Sequence, residues 1–208
     1  LLKGNRIAFV TNAGGPGVMA TDALERNGLT LAALTPETEQ ALAQVLPPNA
    51  NIHNPIDVIG DARADRYRAA IELALKDPGV DGVVVILTPQ TSTDIEGTAQ
   101  ALVEASKDSG KPVLGCWMGE KEAARGIRVL ALNRVPNYPF PERAVAALGA
   151  MYRYISWRQQ PESEVPAFEV DKAAVANLFK EIRASGRNTI GDTQAQAILT
   201  AYGITIPR

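Results

Sequence analysis

Two short polar segments hold the residues whose types and spacing could do chemistry. Residues 11–17 read TNAGGPG, and residues 88–94 read TPQTSTD. Glycine lets a backbone approach an anion closely, and neutral hydroxyl and amide groups can add hydrogen bonds to it. Neither segment contains Lys or Arg. Together they predict a site for a phosphoryl group that is held briefly and then passed on.

The candidate phosphate-binding residues have either a neutral polar side chain or no side chain. They are Asn12, Gly14, Gly15, Gly17, Thr88, Gln90, Thr91 and Ser92. Each segment is predicted to lead into a helix, whose first turn offers unpaired N–H groups and about half a positive charge. A simpler interpretation is that the glycines only permit a tight turn between a strand and a helix.

The elements around these segments alternate regularly between strand and helix. Apolar runs predict strands at residues 6–10, 29–34, 82–87, 112–117 and 135–138. Short connections between alternating strands and helices are typical of an α/β fold, with a doubly wound parallel sheet. About five strands match the flavodoxin-like order 2-1-3-4-5. In that order the two polar segments follow the first and third strands and meet where the strand order reverses, which is where such sheets bind ligands.

The domain organisation changes after the last predicted helix of this pattern. Residues 1–158 are predicted to form the α/β domain, and residues 159–208 a linker followed by a C-terminal helical extension. The sequence PESEVP at residues 161–166 is typical of a linker. Residues 204–207 resemble the beginning of a strand, so the chain is expected to end inside another domain.

Composition excludes several classes of function. The 208 residues carry a net charge of -2, which provides no electrostatic attraction to nucleic acid or an anionic membrane. No apolar run approaches the ~20 residues that span a bilayer. With one cysteine and one histidine, neither an intrachain disulfide nor a metal site is predicted. The lack of disulfides and of an export signal fits a cytoplasmic location.

Four further residues could contribute to a site. Asn54 and Asp57 belong to the sequence NPID and are predicted to brace the loop between the sheet edge and the site. An equally good interpretation of Asp57 is a turn cap. His53 precedes this motif and is interpreted as a structural or solvated loop residue. Cys116 lies in an apolar strand and is interpreted as a core thiol.

Two nucleotide-binding alternatives remain open at this point. The sequence GPGVMA at residues 15–20 fits the dinucleotide fingerprint between a strand and a helix. The acidic residue that would hold a ribose is absent at the end of the second strand, which argues against NAD. Flavin binding would need an aromatic ring near the segments, and only Trp117 is well placed. A receiver domain is disfavoured because no paired aspartates follow the first strand.

Three motifs together resemble a known family. They are TNAGGPGV, NPID and VVVILTPQ, and they resemble the ADP-forming acetyl-CoA synthetases of the acyl-CoA synthetase (NDP-forming) superfamily, which is related to succinyl-CoA synthetase. The resemblance covers residues 4–158 and is strongest to the second flavodoxin-like ligase domain. Residues 190–204 resemble the start of the ATP-grasp domain that follows in fused members.

The resemblance implies an acid–thiol ligase that makes acyl-CoA from a carboxylate, CoA and ATP through a phosphorylated histidine. That histidine belongs to the preceding domain, so the resemblance implies no catalytic residue in this chain, and the isolated chain is expected to be inactive. The two polar segments would form one wall of the phosphoryl site.

The resemblance also implies cofactors and partners. The parent protein would use CoA, ATP and Mg, none of them bound by this chain alone. The implied partners are the CoA-binding, first ligase and ATP-grasp domains of the same protein. Two alternatives stay open: a non-catalytic regulatory copy in a fused protein-lysine acetyltransferase, and a domain that serves only as an interface between subunits, with homo-oligomers.

Overall fold

The computed structural model describes residues 1–162 and 166–206. The strands are β1 (Arg6–Thr11), β2 (Thr30–Leu31), β3 (Ile56–Asp57), β4 (Gly82–Leu87) and β5 (Val113–Trp117). The helices are α1 (Gly14–Arg26), α2 (Pro36–Val45), α3 (Ala64–Lys76), α4 (Ile95–Ser106), α5 (Glu120–Leu132), α6 (Pro141–Arg158), α7 (Lys172–Ala184) and α8 (Asp192–Ala201).

The sheet is parallel and has the order β2-β1-β4-β5, with β3 also paired to β1. This order confirms the predicted flavodoxin-like fold, because β4 and β5 are the third and fourth strands expected from the sequence. All six residues of β4 are buried. Helices cover both faces of the sheet, as two separate apolar clusters on β1, β4 and β5 show.

One edge of β1 is shared by two very short strands, which corrects the predicted second strand at 29–34. Strand β2 pairs beside Arg6 and Ile7, whereas β3 pairs beside Val10 and Thr11. The chain leaves this edge after Leu31 and returns to it at Ile56, beside the C-terminal end of β1. A local apolar pattern cannot show this, because the second half of the edge is filled from a distant part of the chain.

The predicted edge strand at 135–138 is also shorter than expected. Only Asn137 forms a bridge, opposite Gly115. Its side-chain oxygen accepts a hydrogen bond from the Trp117 N–H at 2.9 Å. Pro136 has no N–H to extend a ladder, so the pairing stops at this single position.

A carboxylate–guanidinium pair joins β1 to the segment before β4. Arg6 donates from Nε and Nη2 to the two carboxylate oxygens of Asp81, at 2.8 and 2.9 Å. Asp81 is 7% exposed. The hydrogen bond from the Arg6 side chain is the main cause that lowers the pKa of Asp81, with burial acting in the opposite direction.

The Asp81→Asn variant is expected to lose stability in a pH-dependent manner. Because the folded-state pKa of Asp81 lies below its unfolded value of about 3.9, the ionised pair stabilises the fold above that value, and the stabilisation is lost as pH falls through the folded pKa. The variant should lose about 2 kcal/mol of unfolding free energy at pH 7. Chemical denaturation at pH 7 and pH 2 checks this, since an equal loss at both pH values would contradict it.

Residues Pro161–Arg208 form a second compact unit. Within it, Val175 and Ile182 of α7 are buried, and the Asp171 N–H before α7 donates to the Ala201 carbonyl of α8. Of the expected linker, 163–165 lie outside the described residues. Of the expected strand at 204–207, residues 204–206 form none and residue 207 lies outside the described residues. No helix in the described parts of the chain is both long and apolar enough to cross a bilayer.

Candidate functional site

The glycine-rich segment is the first turn of a helix, which corrects the predicted loop. Helix α1 begins at Gly14, after Ala13 in an extended conformation. The Ala13 N–H donates to Thr11 Oγ1 at 3.1 Å. The N–H groups of Gly14 and Gly15 have no acceptor among the described residues, and both glycines are exposed. Glycine and proline are poor residues inside a helix, but Pro16 is tolerated in a first turn, where its missing N–H needs no partner.

The side chain of Asn12 joins the ends of β1 and β4. Its Oδ1 accepts hydrogen bonds from the N–H and the hydroxyl of Thr88, at 2.9 and 3.0 Å. Its Nδ2 donates to the Thr88 carbonyl at 2.8 Å. Asn12 is 3% exposed. The geometry therefore shows that Asn12 and Thr88 brace the site by bonding to each other. Their contact with phosphate stays a prediction.

Tyr67 of α3 supports this junction from beneath. Its side chain is fully buried, and its hydroxyl donates to the Ile86 carbonyl of β4 at 2.9 Å. Burial is the main cause that raises the pKa of Tyr67 well above its usual range, followed by the negative charge of Asp57. The hydroxyl therefore stays protonated and acts as a fixed donor. The sequence had no signal for the carbonyl that the Tyr67 hydroxyl reaches.

The second polar segment is ordered mainly by its own hydrogen bonds. The Gln90 N–H donates to Thr93 Oγ1 and the Thr93 N–H donates to the Gln90 carbonyl, both at 3.0 Å. The Ser92 hydroxyl reaches the Gly60 carbonyl at 3.5 Å. Thr91 is exposed.

The helix that follows this segment does not offer the free N-terminus expected from the sequence. Asp94 is the N-cap of α4, and its Oδ1 accepts a hydrogen bond from the Gly97 N–H at 2.9 Å. The carboxylate occupies the position that an anion would take. The sequence did carry a signal here, because aspartate immediately before a helix is a preferred cap. Helix α1 is therefore the one of the two that leaves its first turn open.

The NPID motif lies against both β1 and the start of α1. Asn54 accepts a hydrogen bond from the Phe9 N–H and donates to the carbonyls of Ile7 and Ala32, at 2.8–2.9 Å. Its peptide bond to Pro55 is cis. The amide thus replaces strand backbone between β2 and β3.

The Asp57 carboxylate faces the first turn of α1. Its Oδ1 accepts a hydrogen bond from the Ile59 N–H at 2.9 Å. Its Oδ2 lies 3.9 Å from the position that a Cβ on Gly14 would occupy. An open groove of about 350 Å³ follows α1 from this point, and its walls include Gly17, Val18 and Pro55. The structure therefore brings Gly14 and Asp57 together, although 43 positions separate them in the sequence.

The remaining reactive side chains lie away from this arrangement. His53 is exposed, and its Nδ1 lies 2.7 Å from Glu39 Oε1. Cys116 is buried, and burial, followed by the charge of Glu142, raises the pKa of its thiol to about 12. Trp117 is 1% exposed, so its ring is not available to stack on a flavin. Residues 1–162 and 166–206 contain no group of three or more His, Cys, Asp or Glu that could hold a metal ion.

Comparison with known protein families identifies the domain. The family model described as "Ligase-CoA domain" matches residues 7–160. The chain belongs to the ligase-CoA domain family. This match covers the sheet except Arg6, and all the residues of the candidate site.

Curated relatives of this ligase-CoA chain are named as ADP-forming CoA ligases. The 4-hydroxybutyrate–CoA ligase [ADP-forming] of Nitrosopumilus maritimus is 31% identical over 202 residues, which are 97% of this chain and 29% of the relative. The alpha subunit of acetate–CoA ligase [ADP-forming] II of Pyrococcus furiosus is 39% identical over 155 residues, 73% of this chain and 34% of the subunit. The chain spans about a third of the length of these relatives.

A solved structure shows the same fold. Acetyl-coenzyme A synthetase 1 of Ca. Korarchaeum cryptofilum, in complex with phosphate and ADP, has a TM-score of 0.69 and 37% sequence identity. The match covers 76% of this chain and 34% of the synthetase. The resemblance that the three sequence motifs indicated is confirmed.

Proposed function

We propose that this chain forms one wall of the phosphoryl site in an ADP-forming acyl-CoA ligase. The observation that carries the proposal is the match of residues 7–160 to the ligase-CoA domain, and relatives named as ADP-forming ligases support it. The open first turn of α1 supports it, because Gly14 and Gly15 present backbone N–H groups without a competing side chain.

The proposed reaction converts a carboxylate, CoA and ATP into acyl-CoA, ADP and phosphate, and it is reversible. A histidine from another part of the parent protein carries the phosphoryl group. The N–H groups and dipole of α1 stabilise the negative charge on that group, and no Lys or Arg of the segment holds it too tightly. The hydrogen bonds between Asn12 and Thr88 hold the start of α1 next to the end of β4.

The lengths of the matches support a parent protein with further domains. Three relatives whose names carry no subunit designation align with 97–100% of this chain and a fourth with 77%, whereas two alpha subunits align with 73% and 75%. The alignments over nearly the whole chain include the second compact unit, Pro161–Arg208. We propose that this unit begins the ATP-grasp part, and that the CoA-binding, first ligase and ATP-grasp domains are the partners of the ligase-CoA domain.

Labelling with γ-labelled ATP tests the proposed function. The full-length protein should acquire phosphate that is labile in acid and stable in base, and addition of the carboxylate and CoA should remove the label as acyl-CoA forms. The His53→Gln variant should label equally, because the His53 ring is exposed and its Nδ1 contacts Glu39 of α2. An unlabelled wild-type protein would contradict the proposal and favour a regulatory copy of the domain.

A further inference from the structure

Asp57 places a negative charge beside a helix start that otherwise attracts anions. Its Oδ2 has no hydrogen-bond donor among residues 1–162 and 166–206, whereas its Oδ1 is held by the Ile59 N–H. A bare carboxylate repels a fully ionised oxyanion at this position. A ligand that carries both a negative charge and an O–H group suits both the helix start and the carboxylate. Its charge faces the N–H groups of the helix, and its O–H donates to the carboxylate, which can only accept hydrogen bonds when ionised.

The turn after β3, which positions this carboxylate, has a strained backbone at Ile59. Ile59 has a φ of 71°, in the left-handed region that β-branched residues rarely adopt. Three contacts keep the turn in place: the Val58 N–H donates to the Thr11 carbonyl at 2.8 Å, the Ala62 N–H donates to the Ile59 carbonyl at 3.0 Å, and Arg66 donates to the Val58 carbonyl at 3.0 Å. Strain that several contacts maintain is typical of functional positions.

We infer that Asp57 selects a protonated phosphoryl oxyanion over a fully ionised one, and that Ile59 positions the Asp57 carboxylate for this role. The inference rests on the proposed function, because it describes the occupant of the same α1 site. Phosphate keeps an O–H group at neutral pH, which donates to Asp57 Oδ2 while its charged oxygens accept from the N–H groups of Gly14 and Gly15. Sulfate has a similar size and shape but no proton to donate.

The physical basis of the selection is an unpaired acceptor. A site built to receive a hydrogen bond rejects an analogue that lacks the donor, because the polar group of the protein is left without a partner. Both anions carry negative charge, but a sulfate oxygen has no hydrogen bond to offer Asp57 that would offset the repulsion between them. In Asp57→Asn the charge is gone, and the amide can turn its N–H towards a sulfate oxygen.

The experiment uses the full-length protein in the direction of ATP synthesis, where phosphate is a substrate. The KM for phosphate and the inhibition constant for sulfate, competing with phosphate, are measured for each variant. In the wild type the sulfate constant should exceed the phosphate KM at least about tenfold. In Asp57→Asn the ratio of the sulfate inhibition constant to the phosphate KM should fall about tenfold or more. The KM for ADP should not change.

Two further variants separate selection from a general structural effect. Asp65→Asn removes an exposed carboxylate from the first turn of α3, just after the same loop, and should keep the wild-type ratio. Ile59→Gly keeps the carboxylate but relaxes the turn, and its ratio should fall at least about threefold; it decides the question alone if Asp57→Asn does not fold. If the wild type is active and the Asp57→Asn and Ile59→Gly variants keep its ratio, this inference is overturned and the proposed function stands. A wild type without phosphate-dependent activity overturns the proposed function and the inference with it.

Discussion

Replacing Gly14 by proline should lower the rate of acyl-CoA formation by about 100-fold in the full-length protein. Proline removes the N–H of the first residue of α1, which is one of the two open donors of the proposed site. The helix itself should persist, because proline is favoured at this position and Ala13 before it already has φ -151° and ψ 130°. A donor that acts mainly on the developing charge lowers kcat and kcat/KM together.

Gly14→Ala is the matched control for this prediction. It adds one methyl group and keeps the N–H, and the nearest atom to the new Cβ would be an Asp57 oxygen at 3.9 Å. Its rate should stay within a few-fold of the wild type. Steady-state kinetics and thermal unfolding of both variants provide the comparison. Equal rates for the proline and alanine variants would show that the Gly14 N–H does not contact the reacting group.

Replacing Asn54 by alanine should destabilise the domain by about 3 to 5 kcal/mol. The change removes three hydrogen bonds of 2.8–2.9 Å and leaves the Phe9 N–H and the Ala32 carbonyl without partners, whereas the Ile7 carbonyl keeps its hydrogen bond from the Ala32 N–H at 2.9 Å. Phe9 and Ile7 are fully buried and Ala32 is 2% exposed, so water cannot easily replace the amide. Buried backbone groups without partners carry the full cost of their desolvation.

Asn51→Ala is the control from the same loop. Asn51 is exposed, and its side chain donates to the carbonyls of His53 and Pro55 at 3.2 and 2.8 Å. Because water can replace these hydrogen bonds, Asn51→Ala should lower the free energy of unfolding by less than about 1 kcal/mol. Denaturant unfolding of both variants, followed by the fluorescence of the buried Trp117, gives the two free energies. Similar losses for Asn51→Ala and Asn54→Ala would contradict the role assigned to Asn54.

The sequence by itself determined the architecture and the family, and it predicted that the two polar segments meet at one edge of the sheet. The alternation of apolar runs and amphipathic segments predicted the parallel sheet, and the apolar run at 82–87 predicted its fully buried strand β4. Parallel strands end at a common edge, so the segments after β1 and β4 had to meet there. These conclusions depend on local periodicity and chain direction, which one sequence shows directly.

Only the tertiary structure decided how the residues at that edge are used. Asn12 and Thr88 are 76 positions apart, and the sequence could not show that their polar groups bond to each other. It also could not show that Asn54 completes the edge of β1, or that Asp57 lies beside Gly14. The physical reason is that a polar group chooses its partner by distance and angle in space, and both are fixed only when distant segments pack together.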